Sequence, residues 1–164
     1  MIEMLGVLAI VGVLSAGGIA GYSMAMQSYR TNQLIEKVNL IATRVRSVYK
    51  GDYREGVSNE NMIISGKLSA DDFKNPFGDD MLVRRADWEE NTTFLISIEG
   101  NLPADTCTDL LLMDWGNKGV FEGVRVISDA DRNARYRSGT WPLSADTAIA
   151  WCKEGATIFR IIFK

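Results

Sequence analysis

Residues 1–26 read MIEMLGVLAIVGVLSAGGIAGYSMAM, and residues 27–53 continue as QSYRTNQLIEKVNLIATRVRSVYKGDY. From Met4 to Tyr29 there is no charged side chain. As a helix, that run would span about 39 Å, more than the roughly 30 Å of a bilayer's hydrocarbon core. The run does not end at a turn. Leu34, Val38, Ile41, Val45 and Val48 follow at steps of 4, 3, 4 and 3, which is one face of a helix. Ile35, Ala42 and Tyr49 widen the stripe, while Arg30, Glu36, Lys37, Arg44, Arg46 and Lys50 lie mostly off it. Gly51 is a helix stop, with Lys50 as a favourable cation in the last turn. The pattern predicts one helix from about Ile2 to Lys50, about 70 Å long, apolar all round in its first half and amphipathic in its second.

One carboxylate, Glu3, stands at the start of this run. A simple anchor has no need of it, although near a helix N-terminus and the membrane interface it is tolerable. In a core of packed apolar helices it would be costly unless paired. Glycine is frequent in the same half, at Gly6, Gly12, Gly17, Gly18 and Gly21. Each costs up to about 1 kcal/mol against alanine in a helix. Two readings stay open: small residues for close packing between helices, or a weak point over Ala16–Gly21 where the helix could stretch.

The other residues are those of an ordinary globular chain. The 164 residues are 46% hydrophobic and 24% charged, with a net charge of -3. That balance argues against a general nucleic-acid binder. There is no histidine, so the commonest general base and metal ligand is missing. Cys107 and Cys152 are too far apart for a CxxC redox pair, and without histidine they make a poor zinc site. In an oxidising compartment they would form one disulfide worth roughly 3–4 kcal/mol; otherwise they are two buried thiols. The N-terminal run has no basic leader and no clear cleavage site, so it is expected to stay in the mature protein.

Residues 52–79 read as a loop with short helical pieces. Ser69 is an N-cap followed by Asp71 and Asp72, and Asn75-Pro76-Phe77-Gly78 is a turn. Strand signals cover Met81–Trp88 and Thr93–Gly100, the second with Phe94, Ile96 and Ile98 alternating against Leu95, Ser97 and Glu99. Residues 101–116 read as a helix with Asn101 as cap and Pro103 in the first turn. Leu110, Leu111 and Trp115 face the core with Cys107, and Gly116 ends the helix. Val120–Ser128 is a further strand, and residues 132–143 look irregular. Ser144 caps a short helix ending at Cys152, and Thr157–Phe163 is the strongest strand signal. The expected fold is α+β: a long N-terminal helix on a small antiparallel sheet. The apolar segment is 1–28. The head is 29–164, comprising the amphipathic half-helix 29–51, the loop 52–79 and the sheet region 80–164.

With those residues in that order, the chain resembles the type IV pilins. IEMLGVLAIVGVLSAG (residues 2–17) is similar to their shared N-terminal segment, and Glu3 matches its glutamate. GKLSADDFKNPFG (66–78), LISIEGNLPADTCTDLL (95–111) and AIAWCKEGATIFRIIF (148–163) resemble the type IVb, toxin-coregulated-pilin-like branch. The alignment of Glu3 implies that a leader and the first couple of mature residues precede this sequence. Pilins of the other branch carry a helix proline where this chain has glycines.

The resemblance implies a structural subunit of a helical surface filament, without enzymatic activity and without a cofactor. Glu3 would face a neighbour's N-terminal ammonium and set the register. Met4, Leu5, Val7, Leu8, Ile10, Val11, Val13 and Leu14 would pack in the filament core, and Gly17, Gly18 and Gly21 would let the helix adapt. Cys107 and Cys152 would form the disulfide of the C-terminal region. The implied partners are identical subunits, the bacterial inner membrane before assembly, the pilus assembly machinery and the prepilin peptidase. The implied location is that membrane first, with the head in the periplasm, and an extracellular filament afterwards. Two alternatives remain: a pseudopilin or minor pilin of a type II secretion-like machine, and a membrane-tethered binding module. The disulfide favours a pilin, since major pseudopilins usually lack it.

Other constellations carry weaker signals. Asp129, Asp131 and Asn133 have the opening spacing of a calcium loop, but Ala134 stands where glycine belongs and Thr140 where the bidentate acid belongs. Arg125, Arg132, Arg135 and Arg137 around Tyr136 form a candidate surface contact. It suits a solvated face, or the acids Asp105, Asp109 and Asp114 of a neighbour, better than nucleic acid. Ser65, Ser144 and Asp146 lack a base partner and read as caps and turns. Asn91-Thr92-Thr93 fits a glycosylation sequon of low specificity.

Overall fold

The apolar stripe predicted at Leu34–Val48 is where the core begins. The computed structural model describes residues 2–54, 56–86, 92–116, 119–128, 135–138, 141–153 and 155–164; for 2–6, 8–10, 14, 16 and 135–138 it describes the backbone alone. Helix α1 runs Ile2–Tyr49 without interruption, 48 residues or about 70 Å. Leu34, Val38, Ile41 and Val45 are fully buried, and Ile35, Val48 and Tyr49 pack partly buried against the same core. The end of α1 is chemical as well as geometric. Lys50 and Gly51 both take left-handed backbone angles, φ 50° and 88°, and glycine does so at no steric cost.

Two short elements cross the loop. Helix α2 is Asn59–Ile64, where Ser58 accepts a hydrogen bond from the Asn61 amide at 3.2 Å. A 3-10 turn covers Ala70–Phe73. There the Asp72 carboxylate takes both the Ser69 amide at 2.7 Å and the Ser69 hydroxyl at 2.8 Å, so Ser69 is the expected N-terminal residue of the turn. The turn's last carbonyls are covered by Lys37 of α1, whose Nζ donates to Asp71 O at 2.7 Å and Lys74 O at 3.0 Å.

The sheet has five strands: β1 (Leu82–Arg85), β2 (Phe94–Leu102), β3 (Phe121–Ile127), β4 (Arg135–Ser138) and β5 (Ala156–Phe163). Their order is β1-β2-β5-β3-β4, and every neighbouring pair is antiparallel. The last strand is therefore the central one. Phe159, Ile161 and Phe163 of β5 join Phe94, Ile96 and Ile98 of β2 in the core that α1 covers. On the opposite face Ile162 packs with Ala86 and Leu95 in a small separate cluster. Strand β3 reaches the core at Phe121, Val124 and Val126. A bulge between Phe121 and Gly123 supplies the extra residue that lets Phe121 and Val124 share one face.

Helices α3 (Ala104–Leu112) and α4 (Ala145–Cys152) bury Cys107, Leu110, Leu111, Ala148 and Cys152 in the same core. Cys107 and Cys152 join them in a disulfide, with Cα atoms 5.7 Å apart. The approach is tight enough that a Cβ at Gly155, φ 75°, would stand 2.6 Å from the Leu102 carbonyl oxygen. The α+β layout is as expected. Four details differ. Helix α3 ends at Leu112 with Met113 as its cap, short of the expected stop at Gly116. Asn101 belongs to β2 and Pro103 takes the cap position of α3. β2 is buried on both faces at Leu95 and Ser97 rather than alternating. Residues 135–138, expected to be irregular, pair with β3 as an edge strand.

Candidate functional site

Along α1 the burial changes at Thr31, 4% exposed and the first buried residue of the helix among those described. Before it, most described apolar side chains face water: Val7, Val11, Val13, Ile19, Tyr22, Met24 and Tyr29 are each more than half exposed. This follows from the pattern. The first half has no polar face to turn outward, and the described buried positions of α1 begin only at Thr31. The helix is unbroken through Gly17, Gly18 and Gly21. Nothing lies within 4 Å of where a Cβ would sit at any of them or at Gly12. Within one subunit, then, no packing demands glycine there. The side chains of Glu3, Met4, Leu5, Leu8, Ile10 and Leu14 lie outside the described residues. Among the described residues no helix is long and apolar enough to cross a membrane.

The helix meets the head through a polar seam. The Gln27 amide donates to the Asp105 carboxylate. The Thr31 and Thr106 hydroxyls are 2.9 Å apart and buried, and Thr31 also donates to the Gln27 carbonyl at 3.1 Å. Just outside this seam an open groove of about 350 Å³ lies between Tyr22, Met26 and Arg30 of α1 and Phe77 and Pro103 of the head. Phe77 comes from the Asn-Pro-Phe-Gly turn, which Asn75 holds by accepting the Phe77 amide at 3.0 Å and donating to Glu99 O at 3.2 Å.

Of the arginine group, the backbone register is described for Arg125, Arg135 and Arg137. Strand register places Arg135 opposite Val126 and Arg137 opposite Val124, while Arg125 pairs with Tyr136 on one side and Arg160 on the other. Arg132 lies outside the described residues. The row that does form runs Tyr136–Arg125–Arg160–Ser97–Leu82 across all five strands. Burial, then the nearby Arg84 and Arg125, lower the Arg160 pKa from its usual value. Its Nε reaches the Ser97 hydroxyl at 3.4 Å, which in turn donates to Glu99 at 3.2 Å. Arg160 escapes a reading by spacing because only strand pairing brings it beside Arg125.

The remaining candidates resolve simply. Asp129, Asp131 and Asn133 fall outside the described residues, as does Asn91. Among the described residues no group of three or more histidines, cysteines or acids could hold a metal ion. Ser65 donates to Met62 O and Ser144 shares a bond with Thr147, both local turn contacts. Asp109 has its pKa raised by burial and then by Asp105 one helical turn away. Compared with known proteins, the chain matches no protein-family model and no curated protein.

Proposed function

We propose that this chain is a structural subunit of a helical type IVb-like pilus, held in the bacterial inner membrane by residues 1–28 before assembly. The observation that carries the reading is the first half of α1. It is an unbroken, apolar helix in which Val7, Val11, Val13, Ile19, Tyr22 and Met24 are each more than half exposed. Such a surface needs a bilayer or other copies of itself to cover it. The disulfide-tied α+β head supports the same reading.

In the filament Glu3 would pair with the N-terminal ammonium of a neighbour. A subunit at the wrong height would leave both charges buried and unpaired, so the pair sets register while apolar packing supplies attraction. Met4, Leu5, Val7, Leu8, Ile10, Val11, Val13 and Leu14 would form the packed core. Gly17, Gly18 and Gly21 would serve where helices approach closely or extend. Prepilin peptidase and the assembly machinery are the proposed processing partners.

Electron cryo-microscopy of material sheared from cells making the protein tests this. Filaments whose side-chain density fits this sequence support it. Protein that stays in the inner membrane without filaments points instead to a pseudopilin or minor pilin, and protein monomeric in the membrane to a tethered binding module. A Glu3→Ala chain should fold and reach the membrane yet yield few filaments. Filament yield equal to the parent would sink the pairing.

A further inference from the structure

An antiparallel sheet with an exposed edge offers unpaired backbone groups to any extended strand, including one from a second copy. Here the edge strand β1 meets a side chain that imitates such a strand. The carboxamide of Asn59, the first residue of α2, donates from Nδ2 to Met81 O at 2.7 Å and accepts the Val83 amide at Oδ1, also at 2.7 Å. One acceptor and one donor, spaced for two successive outward groups of the strand, are what a partner backbone would present. A further outward group, the Met81 amide, is taken by Phe73 O at 2.7 Å. Asn59 is held in place by α2, whose Met62 is fully buried in the core. On the strand itself Leu82 is 39% exposed and apolar, with the exposed cations Arg84 and Arg85 following it.

We propose that Asn59 is an edge guard. It occupies two outward hydrogen-bonding positions, Met81 O and the Val83 amide, where β1 begins and where a strand from a second copy of this chain would otherwise pair. The role needs a carboxamide. Aspartate keeps the acceptor but lacks the donor, and serine is too short to make both bonds from one Cβ. This inference does not depend on the filament reading, because it concerns the head alone.

The test uses the full chain in detergent micelles, which cover the apolar half of α1, with hydrogen exchange read at the Val83 amide over a range of protein concentrations. In the parent chain that amide is protected at every concentration. In Asn59→Ala it should exchange at least about tenfold faster when dilute and regain protection as concentration rises, in step with a larger particle by light scattering. Asn59→Asp should stay monomeric, because two carboxylates would meet at the new contact. Adding Leu82→Lys to Asn59→Ala should return it to a monomer. Exchange in Asn59→Ala that is fast at all concentrations, with no larger particle, overturns the proposal and leaves Asn59 a structural cap. Association by Asn59→Asp as strong as by Asn59→Ala overturns it too.

Discussion

The guanidinium of Arg46, late in α1, lies 5.0 Å from the ring centre of Phe163, near the end of the central strand. It also lies 6.0 Å from the Phe94 ring, and donates to Lys164 O at 2.9 Å and Val120 O at 2.5 Å. One side chain therefore ties the helix to two adjacent strands, β3 and β5, through groups that only a planar, multiply donating cation can satisfy together. Burial lowers its pKa, and the guanidinium still carries its charge at any working pH. Arg46→Ala is expected to cost about 2–4 kcal/mol, from two charge-assisted bonds and one ring contact. Arg46→Lys should recover less than half, because an ammonium cannot stack on Phe163 and reach both carbonyls. Urea unfolding of the three chains measures this, and a lysine variant as stable as the parent would contradict it.

The seam between α1 and α3 predicts a non-additive pair. Thr31 and Thr106 share one buried hydrogen bond at 2.9 Å. Thr31→Val alone strands the Thr106 hydroxyl at a site 1% exposed, at about 1–3 kcal/mol. Replacing both with valine removes the orphan, so the double variant should lose less than the two single losses added together. A double-mutant cycle by thermal unfolding should return a coupling of about 1 kcal/mol, and strict additivity would mean the hydroxyls are indifferent to one another.

The disulfide links helices that follow different strands. Closing a loop over a separation of 45 residues should stabilise the fold by about 4 kcal/mol in the chain-entropy account. Cys107→Ala with Cys152→Ala should lose about that much. The loss should appear equally when the parent is reduced, with the midpoint of urea unfolding as the measure. A parent that unfolds at the same urea concentration with and without reductant would show that the unfolded chain gains little from being opened.

Much of this architecture was legible because it rests on local chemistry. The 4-3-4-3 spacing from Leu34 to Val48, the glycine after Lys50, the acids behind Ser69 and the β-branched run at Ile158–Ile162 each declare themselves within a few residues. What the sequence could not declare was pairing at a distance. β4 was missed because Arg135–Ser138 has no apolar side chain beyond Tyr136 and owes its strand form to β3. The misplaced cap of α3 has the same origin, since β2 extends to Leu102 to meet Ala156. Arg160 was missed as the neighbour of Arg125, and Asn59 as the neighbour of β1, because both relations join segments more than twenty residues apart. Of the candidate assembly surface, the apolar run and its unbroken helix were legible. The exposed stretch before Thr31 needed the fold, which shows where the head stops supplying partners.

Asp109 on α3 gives a pH-dependent prediction. Burial, and then the carboxylate of Asp105, raise its pKa above the usual carboxylate value. A carboxyl raised in this way holds its proton more tightly in the folded chain than in the unfolded one. Its contribution to stability is complete below the unfolded value of about 4 and is lost as pH rises through the raised folded value. At neutral pH, therefore, the ionised group opposes folding. Asp109→Asn removes the charge, is nearly equal in helix propensity, and leaves the backbone carbonyl that accepts the Met113 amide at 3.0 Å untouched. It should raise the unfolding midpoint at pH 7. The gain should be small because the residue is exposed to solvent. It should shrink as pH falls through the carboxylate range and vanish below about pH 4. Thermal unfolding of parent and variant from pH 3 to pH 8 measures the difference. A gain that is constant across that range would mean the asparagine acts through packing and not through charge.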